Sequence, residues 1–349
     1  MREPQNSRRN PSHEADRKVL KLSIVIICWN DCKVIGDCLR SIYERTHSID
    51  FEVIVSDNGS TDGSIQFIRE NFPTVRIVEN NVNLGFAKGN NAGVRIARGE
   101  YVLILNPDTI IHEGSLDRWI EFADRHPEAG AFGCRVLNMD RSYQDSARPF
   151  PTIWRSWIAA LYLRPLAHLS NVFISDSYIT WKGDSERFVD WQSGCCVMLR
   201  GHVLRRLGGF DEQFFYQYED VDLCHRVWKA GHPILFTPAV AITHLGGTIR
   251  HWRFPMRFQL EVCRNCYRYF YKYYGERGAR RCRRVLLASL RLRQLGYALL
   301  YIAKRNDASK ERLEMYRVAI RWNRRIDPVQ FIETGEEPDV GFNATIQVA

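Results

Sequence analysis

Four short apolar runs, each stopped abruptly by polar residues, constrain this chain more than anything else in it. They are "LSIVIICWN" (Leu22–Asn30), "FEVIVSDNGSTDGS" from Phe51, "VRIVE" (Val75–Glu79) and "YVLILNPDT" from Tyr101. A short apolar run without alternation reads as a strand covered on both faces. Between the first two, Lys33–Glu44 sets Val34, Ile35, Cys38, Leu39 and Ile42 at helical spacing. A second helix, opened by Ser60, Thr61 or Asp62, follows the Asn58-Gly59 turn. "NLGFAKGNNAGVRIARG" is a Gly-rich loop leading into a third. Strands and helices alternating in this way predict an α/β fold: a parallel sheet of right-handed crossovers.

Such sheets gather ligands at the carboxyl ends of their strands. Asn30, Asp57, Asn106 and Asp108 all fall there, so together they predict a ligand edge. Taken singly, Asp57 also suits a turn, and Asp108 suits the cap of the helix in "EGSLDRWIEFADRH". Gly85, Gly89 and Gly93 follow G-x3-G-x3-G, which is neither a dinucleotide fingerprint nor a P-loop. Backbone N–H groups there, with Lys88, Asn90 and Asn91, suit a phosphate or base. Helix packing through small residues is the alternative.

The chain's 349 residues, 45% of them hydrophobic, suffice for one large domain with an extension. The net charge of +9 points to an anionic partner: nucleotide, nucleic acid or lipid headgroup. Residues 1–20 carry no apolar segment of a secretory leader and read as a disordered lead-in. Of ten cysteines, Cys28, Cys134 and Cys195 lie in apolar runs, as reduced core thiols do. Cys263 and Cys266 form a C-x-x-C without a second pair at zinc spacing, and the sequon at Asn343 is read as silent.

Residues 132–188 are less regular and rich in Trp and Tyr, as expected of an insertion or a lid. "VDWQSGCCVMLR" is another strand, "GHVLRRLGG" a short helix, and "PILFTPAVAITHLGGT" one or two strands ending on His244. In "FDEQFFYQYEDVDLCHRVWKAGH" a helix starts at the acids. From Asp220 the positions Leu223, Cys224, Val227 and Trp228 form an apolar stripe, so Asp220 opens the buried face. Asp222 is offset by about 200° at roughly 100° per residue and has Arg226 four residues on, which predicts a solvated pair. The helix N-terminus is expected to keep Asp220 ionised.

These segments, in this order, resemble glycosyltransferase family 2, inverting sugar-nucleotide-dependent enzymes of GT-A fold. Within it they are most similar to the bacterial rhamnosyl- and galactofuranosyltransferase-like branch that builds cell-surface polysaccharide. The resemblance spans Leu22 to Gly275 and rests on "SIVIICWN", "VIVSDNGSTDGS", "NLGFAKGNNAG", "LILNPDT", "VDWQSGCCVMLR", "GGFDEQFFYQYEDVDLCHRVWKAGH" and "THLGG". It implies a Rossmann-like, mostly parallel central sheet flanked by helices. It implies a nucleotide-sugar role for Asp57 and its neighbours Asn30, Asn58, Lys88, Asn90, Asn91 and Asn106. The family's D-x-D metal motif reads Asn106-Pro107-Asp108 here, without its first acid. Asp108 with His244 is then the implied metal pair, for Mg2+ or Mn2+.

Inverting transfer needs a base for the acceptor hydroxyl and positive charge on the leaving diphosphate. The resemblance puts the base on Asp220, with Glu219 orienting the acceptor or its neighbour. Trp191, Asp190 and Tyr218 are the expected acceptor wall.

After Gly275 the character changes. "RGARRCRR" is followed by "VLLASLRLRQLGYALLYIAKR", too interrupted for a membrane span but suited to an interfacial helix over anionic lipid. No nucleic-acid-binding motif accompanies the charge. The expected organisation is a lead-in to 20, a glycosyltransferase domain at 21–275, a basic helical extension at 276–332 and a flexible tail at 333–349. Within the domain, 21–130 is the nucleotide-binding half and 131–275 the acceptor half.

The expected function is sugar transfer, dTDP-rhamnose or else a UDP-sugar being the donor, to a lipid-linked or polysaccharide acceptor. The expected location is the cytoplasmic face of a membrane. A non-catalytic nucleotide-sugar-binding or membrane-adaptor protein is the alternative, favoured by the missing acid at Asn106.

Overall fold

The structure, a computed structural model, describes residues 20–246 and 255–339. The expected lead-in up to residue 19 and the Asn343 sequon lie outside them. The first apolar run is β1 (Leu22–Cys28), and α1 (Ile35–Glu44) buries the Ile35, Cys38, Leu39 and Ile42 stripe. β2 (Phe51–Asp57), α2 (Ser64–Asn71), β3 (Arg76–Glu79), α3 (Gly85–Val94) and β4 (Tyr101–Leu105) follow. Next come β5 (Thr109–Ile111), α4 (Ser115–Arg125), β6 (Ala131–Leu137), β7 (Ala147–Arg148) and α5 (Ile153–Ala160). After β8 (Arg187–Val189) and β9 (Trp191–Gln192), β10 (Cys196–Arg200) leads to α6 (Gly201–Arg206), α7 (Glu219–Lys229) and β11 (Ile234–His244).

The main sheet runs β3-β2-β1-β4-β10-β6-β11-β5, with β8 also on β11. The first four strands are parallel, as their apolar runs require. β10 enters antiparallel to both β4 and β6, and β11 returns parallel to β6 with a register shift between Thr237 and Ala241. Residues 131–137 are therefore a sheet strand and not part of an insertion. Successive side chains of one strand face opposite layers: Ile24 and Ile26 pack under α1 and α4, whereas Val25 packs with Ala87 and Leu204.

The C-terminal part is helical: α8 (Pro255–Lys304), α9 (Asp307–Arg325) and α10 (Pro328–Thr334). Gly275 (φ 65°, ψ −168°) breaks α8 into segments 255–274 and 276–304. The chain folds back there, which brings Cys266 Sγ to 3.0 Å from Cys282 Sγ. Both halves share one core with α9, through Tyr267, Phe270, Leu290, Tyr316 and Trp322. The expected domain boundary at 275/276 thus falls at a turn inside one helical unit. That unit also buries Phe214 and Val221 beside α7. The segment expected to be loose from 333 begins with the last residues of α10, and Glu337 then pairs with buried Arg264 at 2.6 Å. Residues 340–349 lie outside the described residues.

Candidate active site

At the carboxyl edge of β1 and β2, Asn30 adopts φ 57°, a conformation Asn tolerates better than most residues. Its side-chain oxygen accepts from Thr61 N–H (2.8 Å), and its own N–H donates to Ser60 Oγ (2.9 Å). The Asp57 carboxylate, buried, accepts from the Gly59 and Ser60 N–H groups at 3.0 and 3.1 Å. Asn58 donates to Gly85 O at 3.0 Å and accepts from Asn80 at 3.1 Å. These three residues build the loop that floors the edge.

The glycine stripe packs closely against β1. A Cβ on Gly89 would lie 2.5 Å from Ile27, and one on Gly93 2.5 Å from Val25. Gly85 is required twice over, by φ +79° and by Phe215 O, 2.5 Å from where its Cβ would be. Of the residues expected at the nucleotide, Lys88 is exposed and Asn90 is fully buried, donating to Phe86 O at 3.0 Å. Asn91 is corrected outright. Its amide accepts from Phe210 N–H (2.8 Å) and donates to Phe210 O (2.9 Å) and Glu212 (3.1 Å). It staples α3 to the loop after α6.

At the ends of β4 and β11, Asp108 Oδ1 lies 3.2 Å from His244 Nε2, and Asn106 Nδ2 lies 3.2 Å from the same nitrogen. Asp108 does not cap α4, whose N-cap is Gly114. His244 Nδ1 lies 2.7 Å from Gln144 Oε1, an acceptor for its N–H, which orients the ring with Nε2 toward Asp108 and Asn106. Neighbouring ligands of an octahedral divalent ion at about 2.1 Å are about 3 Å apart. The Asp108–His244 spacing therefore fits two such ligands, a diphosphate and water supplying the rest. Among the described residues no group of three or more His, Cys, Asp or Glu side chains could hold a metal, so the site has two strong donors.

The acids of α7 separate by environment. Gln217 and Tyr218, just before it, both have φ 72°, and such strain in non-glycine residues clusters at functional sites. Asp220 is half-buried: Gly194 N–H donates to its Oδ2 at 3.0 Å and Val221 N–H to its Oδ1 at 2.8 Å. It lines a cavity of about 470 Å³ with Tyr218, Trp191, Ser193, Arg148 and Arg155. Burial raises its pKa, against those backbone hydrogen bonds and the charge of Arg148. The expected stabilisation of the anion by the helix start does not win.

Glu219 is only 4% exposed, and its Oε2 has no hydrogen-bond partner among the described residues. Burial, then the Asp220 charge, push its pKa well above the usual carboxylate range. It is not among the residues lining the cavity, whereas its neighbour Asp220 is. Of the pair, Asp220 is the better solvated and the one whose two oxygens both accept backbone hydrogen bonds.

Asp222 is also corrected. It is fully buried, paired with Arg226 (2.8 Å) and Lys272 (2.6 Å), and accepts from Tyr273 OH (2.7 Å). Segment 255–274 covers the face of α7 that local periodicity leaves to solvent, and Tyr273 stacks on His225 at 3.8 Å.

The loop Ser193–Gly194–Cys195 joins the two centres. Gly194 N–H holds Asp220, while Cys195 O accepts from Asn106 N–H at 2.9 Å. Residues 23–177 match the family model of glycosyl transferase family 2. Among curated relatives, an N-acetylglucosaminyl-diphospho-decaprenol L-rhamnosyltransferase of Mycobacterium tuberculosis is 34% identical over 203 residues, 55% of this chain and 66% of that protein. The chain belongs to glycosyltransferase family 2. Rhamnosyltransferase WbbL of Escherichia coli is 27% identical over 218 residues, 60% of this chain and 78% of that protein. The mannosyltransferase PcManGT from Pyrobaculum calidifontis, solved with GDP-Man and Mn2+, has a TM-score of 0.51 at 17% identity. That similarity covers 87% of this chain and 88% of the other, and the fold is GT-A.

In this glycosyltransferase three contributors escape sequence reasoning: Gln144, Gly194 and Arg148. Gln144 and Arg148 lie in the stretch read as irregular, and Gly194 acts through its backbone, which carries no side-chain signal. Asp190, expected at the acceptor, instead accepts from Phe150 N–H (2.7 Å) and pairs with Arg155 (3.3 Å). It positions Arg155 and does not line the cavity.

Proposed function

We propose that the chain transfers a sugar, with inversion, from a nucleoside-diphosphate sugar to a hydroxyl of a lipid-linked acceptor. Asp220 is the general base, and the donor diphosphate sits at Asn106, Asp108 and His244. The observation that carries this reading is the loop Ser193–Gly194–Cys195, which ties the carboxylate in the cavity to the Asn106–Asp108 strand end.

The acceptor O–H proton passes to Asp220 as its oxygen bonds to the anomeric carbon. The carbon–phosphate oxygen bond breaks on the opposite face, and the nucleoside diphosphate leaves with the electron pair. Both Asp220 oxygens already accept backbone hydrogen bonds, which fixes the carboxylate's orientation. Its raised pKa makes it a stronger base than an ordinary carboxylate. Asp108 and His244 would hold Mg2+ or Mn2+, which supplies positive charge for the departing diphosphate. Asp57 and Asn58 shape the pocket for base and ribose, and Trp191 and Tyr218 flank the acceptor sugar. Residues 21–130 form the donor half and 131–275 the acceptor half.

The two rhamnosyltransferase relatives favour rhamnose as the sugar, with dTDP-rhamnose as donor and a UDP-sugar as the second choice. Segment 276–304 supports a peripheral position on the cytoplasmic face of a membrane. It includes a stretch apolar enough to enter one, with Leu295, Leu299 and Ile302 exposed.

The test is a panel of sugar nucleotides incubated with Mn2+ and polyprenyl-linked acceptors, run on the native protein and on Asp220→Asn. Transfer lost in the variant with nucleotide affinity retained is the expected result. Equal turnover by both proteins sinks the base, and no transfer by the native protein from any donor sinks the activity.

A further inference from the structure

We infer that the cavity ending at Asp220 has a diphosphate subsite of its own, formed by Arg148, Arg155 and Arg293, for the acceptor's lipid–diphosphate linkage. This rests on the reading of Asp220 as the acceptor-side base. All three arginines line the cavity, and they come from β7, α5 and the second segment of α8. Each keeps donors to spare. Arg148 uses Nε on Asp145 O (3.0 Å), and its charge reaches Asp220. Arg155 uses Nη1 on Phe150 O (2.7 Å) and Asp190 (3.3 Å). Arg293 is exposed and forms no ion pair among the described residues. A guanidinium has five N–H donors in a planar fork, so most remain for phosphate oxygens.

The neighbouring acids offset part of this charge but leave donors free. Asp145 faces Arg148 at Nε (3.4 Å), Asp190 faces Arg155 at Nη1 (3.3 Å), and Asp176 faces Arg164 (3.5 Å). Asp220 is the base itself.

The cavity also leads to an apolar surface. Ser156, Ala159 and Ala160 of α5 form one side, and Val285, Leu286 and Ser289 of α8 another. Beyond it, α5 runs into exposed Leu161 and Tyr162, and α8 into exposed Leu295, Leu299 and Ile302. A carboxylate, guanidinium groups and apolar side chains around one cavity are the groups that a molecule carrying a sugar hydroxyl, a diphosphate and a hydrocarbon chain would need. The volume of 470 Å³ lies within the range of about 300–1,000 Å³ usual for small-molecule sites.

The experiment titrates farnesyl diphosphate into the full chain, with Mn2+ and a saturating nucleoside diphosphate chosen by thermal shift to fill the donor site. Inorganic pyrophosphate and farnesol are titrated in parallel, against native protein, Arg155→Gln and Arg293→Gln. Arg293 is exposed on its helix, so its variant keeps the fold if Arg155→Gln does not. Farnesyl diphosphate is expected to bind beside the nucleotide, and each variant to weaken it roughly tenfold or more, the worth of a charge-assisted hydrogen bond. Pyrophosphate should bind far more weakly, and farnesol should not respond to the variants. Unchanged affinity in both variants, displacement by the nucleotide, or pyrophosphate binding as tightly as farnesyl diphosphate overturns the subsite. Absence of a thermal shift with every nucleoside diphosphate instead counts against the donor reading, and the farnesyl diphosphate comparison still decides the arginines.

Discussion

Asp108 Oδ1 and His244 Nε2 lie 3.2 Å apart where the start of β5 pairs with the end of β11, Thr109 opposite His244. The missing acid at Asn106 therefore does not leave Asp108 alone. His244→Ala and Asp108→Asn should each weaken Mn2+ binding about 10- to 100-fold, measured by electron paramagnetic resonance on the nucleotide-bound protein. Gln144→Ala, which frees the His244 ring, should fall between these and the native protein. Native-like Mn2+ affinity in His244→Ala would remove the histidine from the site.

Asp220 and Asp222 should respond oppositely to loss of charge. Asp222→Asn breaks a fully buried cluster with Arg226, Lys272 and Tyr273, at a cost of about 3 kcal/mol. Its melting temperature should drop clearly. The raised pKa of Asp220 means that its ionised form opposes folding at neutral pH, so Asp220→Asn should melt at or above the native temperature. Scanning calorimetry of both variants checks this, and a large loss of stability in Asp220→Asn would recast that residue as structural.

The pH profile carries the same sign. A base with a raised pKa is protonated, and so inactive, at a pH where ordinary carboxylates are still ionised. The acid limb of kcat/KM should lie above the usual carboxylate range of about 4. Arg148 lowers the Asp220 pKa, so Arg148→Gln should move the limb to higher pH. A limb that stays in place in that variant would assign it to another group.

Leu295, Leu299 and Ile302 stand exposed on α8. Leu295→Glu with Leu299→Glu should abolish flotation with vesicles rich in anionic phospholipid while the melting temperature holds. Equal flotation of the double variant would mean that another face meets the lipid.

Much of this was legible in the chain because of how parallel strands work. A strand buried on both faces admits a polar side chain along its length only where it is hydrogen-bonded, as Ser23, Glu52 and Ser56 are, so the polar residues Asn30, Asp57, Asn106 and Asp108 concentrate at the carboxyl ends. The apolar stripe from Asp220 likewise set the phase of α7, and the structure sinks Leu223, Cys224 and Val227 as that phase requires. Periodicity failed at Asp222 for a definite reason. It divides a helix into one buried face and one solvated face, and α7 is covered on a second side by segment 255–274.

The sequence by itself determined the order of strands and helices, the polar strand ends and the phase of the Asp220 helix, since these follow from periodicities of two and 3.6 residues. Only the tertiary structure decided which of three neighbouring acids faces the cavity and which glycine N–H holds it. It alone brought Gln144 to His244, and Arg293 to the wall that Arg148 lines. Those contacts join segments far apart in the chain, and the burial and charge they create come into being only when the sheet, the folded-back helix and the loop at Gly194 close around one another.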